Sequence, residues 1–146
     1  MDKIQIVIVT LGEEFYGLDI SRVINLIEYT KPSAIPNNKS YVKGVINLRG
    51  KVIPILDLRE ILGYSEAPAE TKRKIAIVQT NINDESIGLI VDDVLSTVDN
   101  IKEEQVEAIE KLGVQNFPVS IVAAIKLEDK LVAMLNVDKI LDEMNS

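Results

Sequence analysis

The residues with the most chemistry to offer are acids. Asp92 and Asp93 stand side by side, and Glu103, Glu104, Glu107 and Glu110 crowd one short stretch. Two carboxylates can share a proton or hold a cation only if their side chains converge. Neighbouring strand residues face opposite ways, so Asp92 and Asp93 are expected to end a strand and cap a turn. On a helix, Glu103, Glu107 and Glu110 would share one face, and a charge run of this kind is a solvated surface. The chain has no histidine and no cysteine. That removes the commonest general base, the usual transition-metal ligands, disulfides and a thiolate nucleophile. A Ser-His-Asp triad cannot be assembled. Neither a GxGxxG turn nor a Gly-Lys-Ser/Thr phosphate loop occurs. We therefore expect no catalytic residue, no metal and no cofactor.

Charge narrows the partners. A net charge of −7 disfavours nucleic acid, where Lys and Arg supply the affinity, and anionic membrane surfaces. The longest apolar runs fall far short of the ~20 residues of a spanning helix. The opening MDKIQIVIVT has the look of a strand and lacks the pattern of a signal peptide. A soluble cytoplasmic protein is expected.

The elements that must position any site are mostly strands, because Val, Ile and Leu dominate the apolar residues. Strands are predicted at 4–10, 15–20, 41–48, 51–56, 74–80, 86–91, 121–127 and 131–137. Pro54 argues for an edge position or a bulge in the fourth. Ser21 can cap a short helix through Asn25 or Leu26, which would put Val23, Leu26 and Ile27 on one face. That face is either core or the wall of an open groove for a partner helix. Asp57 can cap a second helix over 58–62, ended by Gly63. Further helices are predicted over 103–112 and 138–144. Residues 31–40 and 64–73 have loop composition. Arg49-Gly50 is a hairpin turn in which Gly50 supplies positive φ. Arg49 is either a rim residue or a tie between loops.

The two halves resemble each other. Ile4 to Val7 repeats as Ile75 to Val78, Gly17-Leu18 as Gly88-Leu89, and Val23 as Val94, all at an offset of 71. Later, Leu48, Lys51, Leu56, Ile61 and Leu62 recur at an offset of 79. An internal duplication of units with four or five strands follows, with an insertion near 103–112. Such a unit is a small barrel, and two of them leave a groove between them. The chain is a single domain over 1–146, with subdomains near 1–66 and 72–146. Terminal strands or the last helix either complete their own barrel or cross to the other.

The stretch from Tyr41 to Arg59, with its G-V-x-N-L-R-G-x-x-x-P-x-x-D-L core, resembles the signature of the CheW-type family of bacterial chemotaxis coupling proteins. Leu11 to Ile20, Gly88 to Val94 and Asn136 to Leu141 are similar to that family's opening hairpin, mid-chain strand and last element. The resemblance covers nearly the whole chain, which favours a free-standing adaptor over the same module in a larger kinase. It implies a mainly β fold of two SH3-like five-stranded β-barrel subdomains with short helices, in agreement with the duplication. It also implies a scaffold without catalysis, joining the regulatory domain of a chemotaxis histidine kinase to the cytoplasmic tip of methyl-accepting chemoreceptors. The protein would then be cytoplasmic and recruited to membrane receptor arrays through these partners, with no direct membrane contact. Carried over by motif position, the receptor-binding groove would include Ile20, Val23, Leu26, Gly88 and Ile90. The kinase contact would involve Ile35, Tyr41 and Val42. Asn47, Arg49 and Gly50 would order the motif. One departure is Asn25, which stands where many members carry an acid, with Glu28 nearby. The rival reading is a double β-barrel that binds a small ligand in its groove.

Overall fold

The structure is a computed structural model that describes residues 4–37, 39–64, 72–81, 84–108 and 120–145. Its strands are β1 (Ile4–Leu11), β2 (Glu14–Asp19), β3 (Val23–Glu28), β4 (Val42–Leu48), β5 (Lys51–Asp57), β6 (Lys74–Gln79), β7 (Ser86–Val91), β8 (Asp93–Ile101), β9 (Val106–Ala108), β10 (Ile121–Lys126) and β11 (Leu131–Leu135). Two helices, α1 (Leu58–Ile61) and α2 (Val137–Asn145), follow β5 and β11, and 310 turns occupy Ile20–Arg22 and Glu103–Gln105. None of the described helices is long and apolar enough to cross a membrane.

The strands form two mixed sheets, which are the two SH3-like units. The first has the order β8-β1-β2-β11-β10-β9 and the second β3-β6-β7-β5-β4. The chain passes from the first to the second sheet at Ile20–Arg22 and returns at Asp92. The hairpin β1–β2 thus joins strands of the second half, and β6–β7 joins strands of the first. The crossing left open by the sequence is an exchange of first hairpins between the repeats.

The duplication explains where the exchanged hairpins dock. Met134 of β11 pairs in parallel with Gly17 of β2, and Ile55 of β5 pairs with Gly88 of β7. The offsets of 71 and 79 map one pair onto the other. A methyl group on Gly88 would lie 2.5 Å from Ile55 Cδ1, and one on Gly17 would lie 2.6 Å from Met134 Sδ. Glycine recurs because the partner strand's side chain fills the place of its Cβ.

Strand β1 is buried on both faces, which is why its sequence is a near-continuous apolar run. Val7, Val9 and Leu11 face a shared core with Leu56, Leu89 and the α2 residues Val137, Ile140 and Leu141. Ile6 and Ile8 face a second cluster with Ile101, Ile125 and Val132. Strand β6 repeats the arrangement, with Ala76 and Val78 in the shared core and Ile75 and Ile77 in a third cluster.

Two segments predicted as helical contain strands instead, among the described residues. Residues 23–28 form β3 with strict alternation of burial, so Val23 and Leu26 lie on opposite faces. The β-branched pair Val23-Ile24 and the waiting edge of β6 outweigh the i, i+3, i+4 pattern. Of the helix expected at 103–112, Glu103 and Glu104 lie in a 310 turn, Glu107 lies in β9, which pairs with β10, and 109–112 lie outside the described residues. Local helix propensity yields there to pairing, with Val106 packed in the first sheet's interior. Pro54 is in an inner strand, but the β5–β7 ladder begins only at Ile55, so its missing N–H breaks no bond to β7.

Candidate protein-interaction surfaces

The acids singled out by type are structural. Arg59 of α1 donates to Asp92 from Nε at 2.9 Å and from Nη2 at 2.5 Å. Gly12 of the β1–β2 turn donates its N–H to the same carboxylate at 2.6 Å. Burial alone would raise the Asp92 pKa, but the bonds from Arg59 and Gly12 outweigh it and hold the group below its ordinary value. Asp93 turns away and accepts from the N–H of Val94. Among the described residues no three acids are grouped to hold a metal ion.

The second repeat carries the counterpart with its polarity reversed. Asp138 of α2, which the offset of 79 places on Arg59, takes Arg22 at 3.0 and 3.3 Å and the N–H of Asn81 at 2.7 Å. Burial opposes the charged form of Asp138 too, and the Asn81 and Arg22 bonds again lower its pKa. Each lock ties a helix of one repeat to the crossing segment of the other, and a hairpin-tip N–H from the helix's own repeat donates to the same carboxylate. Tyr64 lies beneath the Arg59 guanidinium, 5.6 Å from its ring centre, and its hydroxyl bonds to that of Tyr16. Burial and that bond raise the Tyr16 pKa. None of Arg22, Arg59 and Asp138 was singled out by the sequence. Pairs 33 and 116 residues apart leave no local spacing signal.

The five residues assigned to a receptor groove do not share one surface. Leu26 is 41% exposed on the outer face of β3, beside Ile24 at 53%. Ile20 and Val23 are half-buried and pack on the shared core. Gly88 and Ile90 correct the expectation. Gly88 is enclosed by Ile55, Ile75 and Ile77, and Ile90 is 1% exposed within the third cluster. Strand β7 is buried at all six positions because it packs on both faces, Ile87, Leu89 and Val91 in the shared core and Ile90 in the third cluster. Asn25 bonds back to the N–H of Leu26, and Glu28 pairs with Lys74 at 2.6 Å.

The residues assigned to kinase contact lie at the opposite edge of the same sheet. A strap over 31–37 runs along β4 and is fixed by reciprocal Ser33–Val45 bonds of 2.8 and 2.9 Å. Gly44, at φ 142°, lets the Ser33 carbonyl approach where any Cβ would collide. Asn37 donates to the carbonyls of Ile35 and Val42. These bonds hold Ile35 42% exposed, with Tyr41 and Val42 half-buried behind it. Lys39 reaches the carbonyl of Glu143 in α2 at 2.7 Å. Burial and the Glu143 charge raise the Tyr41 pKa.

At the β4–β5 tip, Arg49 and Gly50 take φ of 53° and 82°, and Asn47 accepts the Gly50 N–H at 2.9 Å. Both turn residues in the left-handed region match a two-residue hairpin. Arg49 is exposed, so the loop tie is made by Arg59. An open pocket of about 210 Å³ lies between Asp19, Arg22, Val122, Met134 and the start of α2. It is smaller than the ~300 Å³ at which small-molecule sites begin.

Comparison with known proteins agrees with this architecture. A family profile described as CheW-like domain matches residues 5–145. The chain is 30% identical over 141 residues to the chemotaxis protein CheW of Bacillus subtilis, covering 97% of this chain and 88% of that one. It is 29% identical to the CheW of Thermotoga maritima, covering 92% and 85%. The crystal structure of the scaffolding protein TtCheW from Thermoanaerobacter tengcongensis superposes with a TM-score of 0.81 at 30% identity, covering 92% of this chain and 90% of that one.

Proposed function

The chain belongs to the CheW-like family, and from that premise we propose that it is a cytoplasmic, non-catalytic chemotaxis scaffold coupling a histidine kinase's regulatory domain to the cytoplasmic tip of chemoreceptors. It is recruited to receptor arrays through these partners. Relatives named as chemotaxis proteins and a neighbour named as a scaffolding protein support the reading.

The observation that carries the coupling is the placing of two apolar surfaces at opposite edges of one sheet. Ile24 and Leu26 stand out from edge strand β3, and Ile35 stands out beside edge strand β4. Three strands separate these edges along the sheet. Two partners can dock there without competing. The receptor tip, a helical hairpin by family resemblance, takes the outer β3 face of Ile24 and Leu26, while Ile20 and Val23 support that strand from the core side. The kinase domain takes Ile35, Tyr41 and Val42. The inter-sheet core and the two ionic locks keep the edges in fixed geometry, so a change of receptor state reaches the kinase only through contacts that differ between states.

The test is isothermal titration of a receptor-tip hairpin into wild type and Leu26→Asp. Leu26 is half-exposed and on the solvent face, so the variant keeps its unfolding midpoint. A buried Leu anchor is worth about 1.5–3 kcal/mol, so binding should weaken by about tenfold or more. Unchanged affinity would remove the β3 face from the receptor site.

A further inference from the structure

On the two-edge reading of the function, we propose that α2 couples the edges: a partner on one edge raises the affinity of the other edge for its own partner. Nine residues make up α2, fewer than the ~12–15 that an isolated helix needs in water. It is helical because it docks, and its docking is shared between the edges. Ile20 and Val23 beside β3, and Tyr41 and Val42 beside β4, all pack on the shared core that holds Ile140 and Leu141 of α2.

Polar anchors fix both ends of the helix. In its first turn, Asp138 accepts from Arg22, the last residue of the turn that leads into β3. Arg22 also donates to the carbonyl of Gln79 at 3.1 Å, at the end of the strand on which β3 pairs. In its last turn, carbonyls have no partner inside the helix, and that of Glu143 accepts from Lys39 Nζ at 2.7 Å. A cation is favoured at this end of a helix. The Lys39 N–H donates to Asn37 Oδ1 at 2.8 Å, and the same Asn37 holds the carbonyls of Ile35 and Val42. A continuous path therefore runs from the entry of β3 through α2 to the exposed Ile35. Its two states are α2 docked with both anchors made and α2 loosened from one end. Each edge keeps its geometry only in the first, so the partner that arrives second binds a protein already ordered.

Two measurements test the coupling. In the protein alone, hydrogen exchange is followed by NMR in wild type, Lys39→Met and Lys39→Arg. Lys39→Met keeps an apolar stem and removes the anchor. It should quicken exchange about fivefold at Ile140 and at the Asn81 amide, which Asp138 holds at the far end of the helix, while β1 and β6 keep their rates. Lys39→Arg should restore the wild-type rates. Quickening confined to 39–42, or spread equally through the core, would overturn the proposal whatever the partners prove to be. Isothermal titration then compares a receptor-tip hairpin with and without a saturating kinase regulatory domain. The wild type should bind about fivefold or more tightly with the second partner present, by the same factor in either order, and Lys39→Met should bring that factor close to one. No enhancement in the wild type, or an unchanged factor in Lys39→Met, would overturn it. Absence of binding by either partner would overturn the two-edge function and the coupling with it, leaving the exchange result as a property of the fold alone.

Discussion

Replacing Gly88 with alanine tests how the repeats interlock. The added methyl would lie 2.5 Å from Ile55 Cδ1, 3.0 Å from Ile75 Cγ2 and 3.2 Å from Ile77 Cδ1. These three isoleucines are at most 1% exposed, so none can swing into solvent. Gly88 has no positive φ, which makes the cost one of overpacking, about 1–3 kcal/mol. Ile55→Val removes the nearest atom at its own cost of about 0.5–1.5 kcal/mol. The double variant should therefore be more stable than the sum of the single losses by about 1 kcal/mol. Urea unfolding followed by circular dichroism reads this as midpoint shifts at constant slope. Gly17→Ala meets the flexible end of Met134, so it should cost less than Gly88→Ala. Strictly additive losses, or a larger cost at Gly17, would refute the claim that partner side chains fill the glycine gaps.

Arg59→Ala leaves Asp92, 13% exposed, without its cation. It should cost about 2–3 kcal/mol in urea unfolding, somewhat less than the 3–5 of a fully buried pair. Arg22→Ala breaks the more exposed lock, 23% and 27% exposed at its two ends, and should cost about 1 kcal/mol. Asp92 and Asp138 both titrate below their ordinary value. They stabilise the fold above the unfolded carboxylate range near about pH 4, and that contribution is lost as pH falls through their folded values. The melting temperature should therefore drop steeply in acid, and Asp92→Asn should flatten that drop.

The duplication was legible because glycine and leucine recur at constant offsets, and the structure gives those glycines a shared cause. The hairpin exchange was not, since β1–β2 and β6–β7 read alike whichever sheet they join. Helix and strand were confused at 21–26 because Val23, Leu26 and Ile27 satisfy a helical spacing, while the decisive edge of β6 is about 50 residues away in sequence. Ile90 was placed on a surface by motif position, although its strand SIGLIV is a six-residue apolar run buried throughout. The locks required knowing which loops meet, and only the folded chain supplies that. Asp57 was correctly read as a cap: its carboxylate accepts the N–H of Arg59 at 3.0 Å. The helix it caps, Leu58–Ile61, is followed by Gly63 at φ 84°.

The most direct test of the central claim is an NMR titration of labelled protein with a receptor-tip hairpin, followed without removal by a kinase regulatory domain. The account predicts two shifted patches, Ile24 and Leu26 with the first partner and Ile35, Tyr41 and Val42 with the second, both persisting when all three proteins are present. Displacement of one partner by the other, or both partners shifting the same residues, would contradict a scaffold with two separate edges.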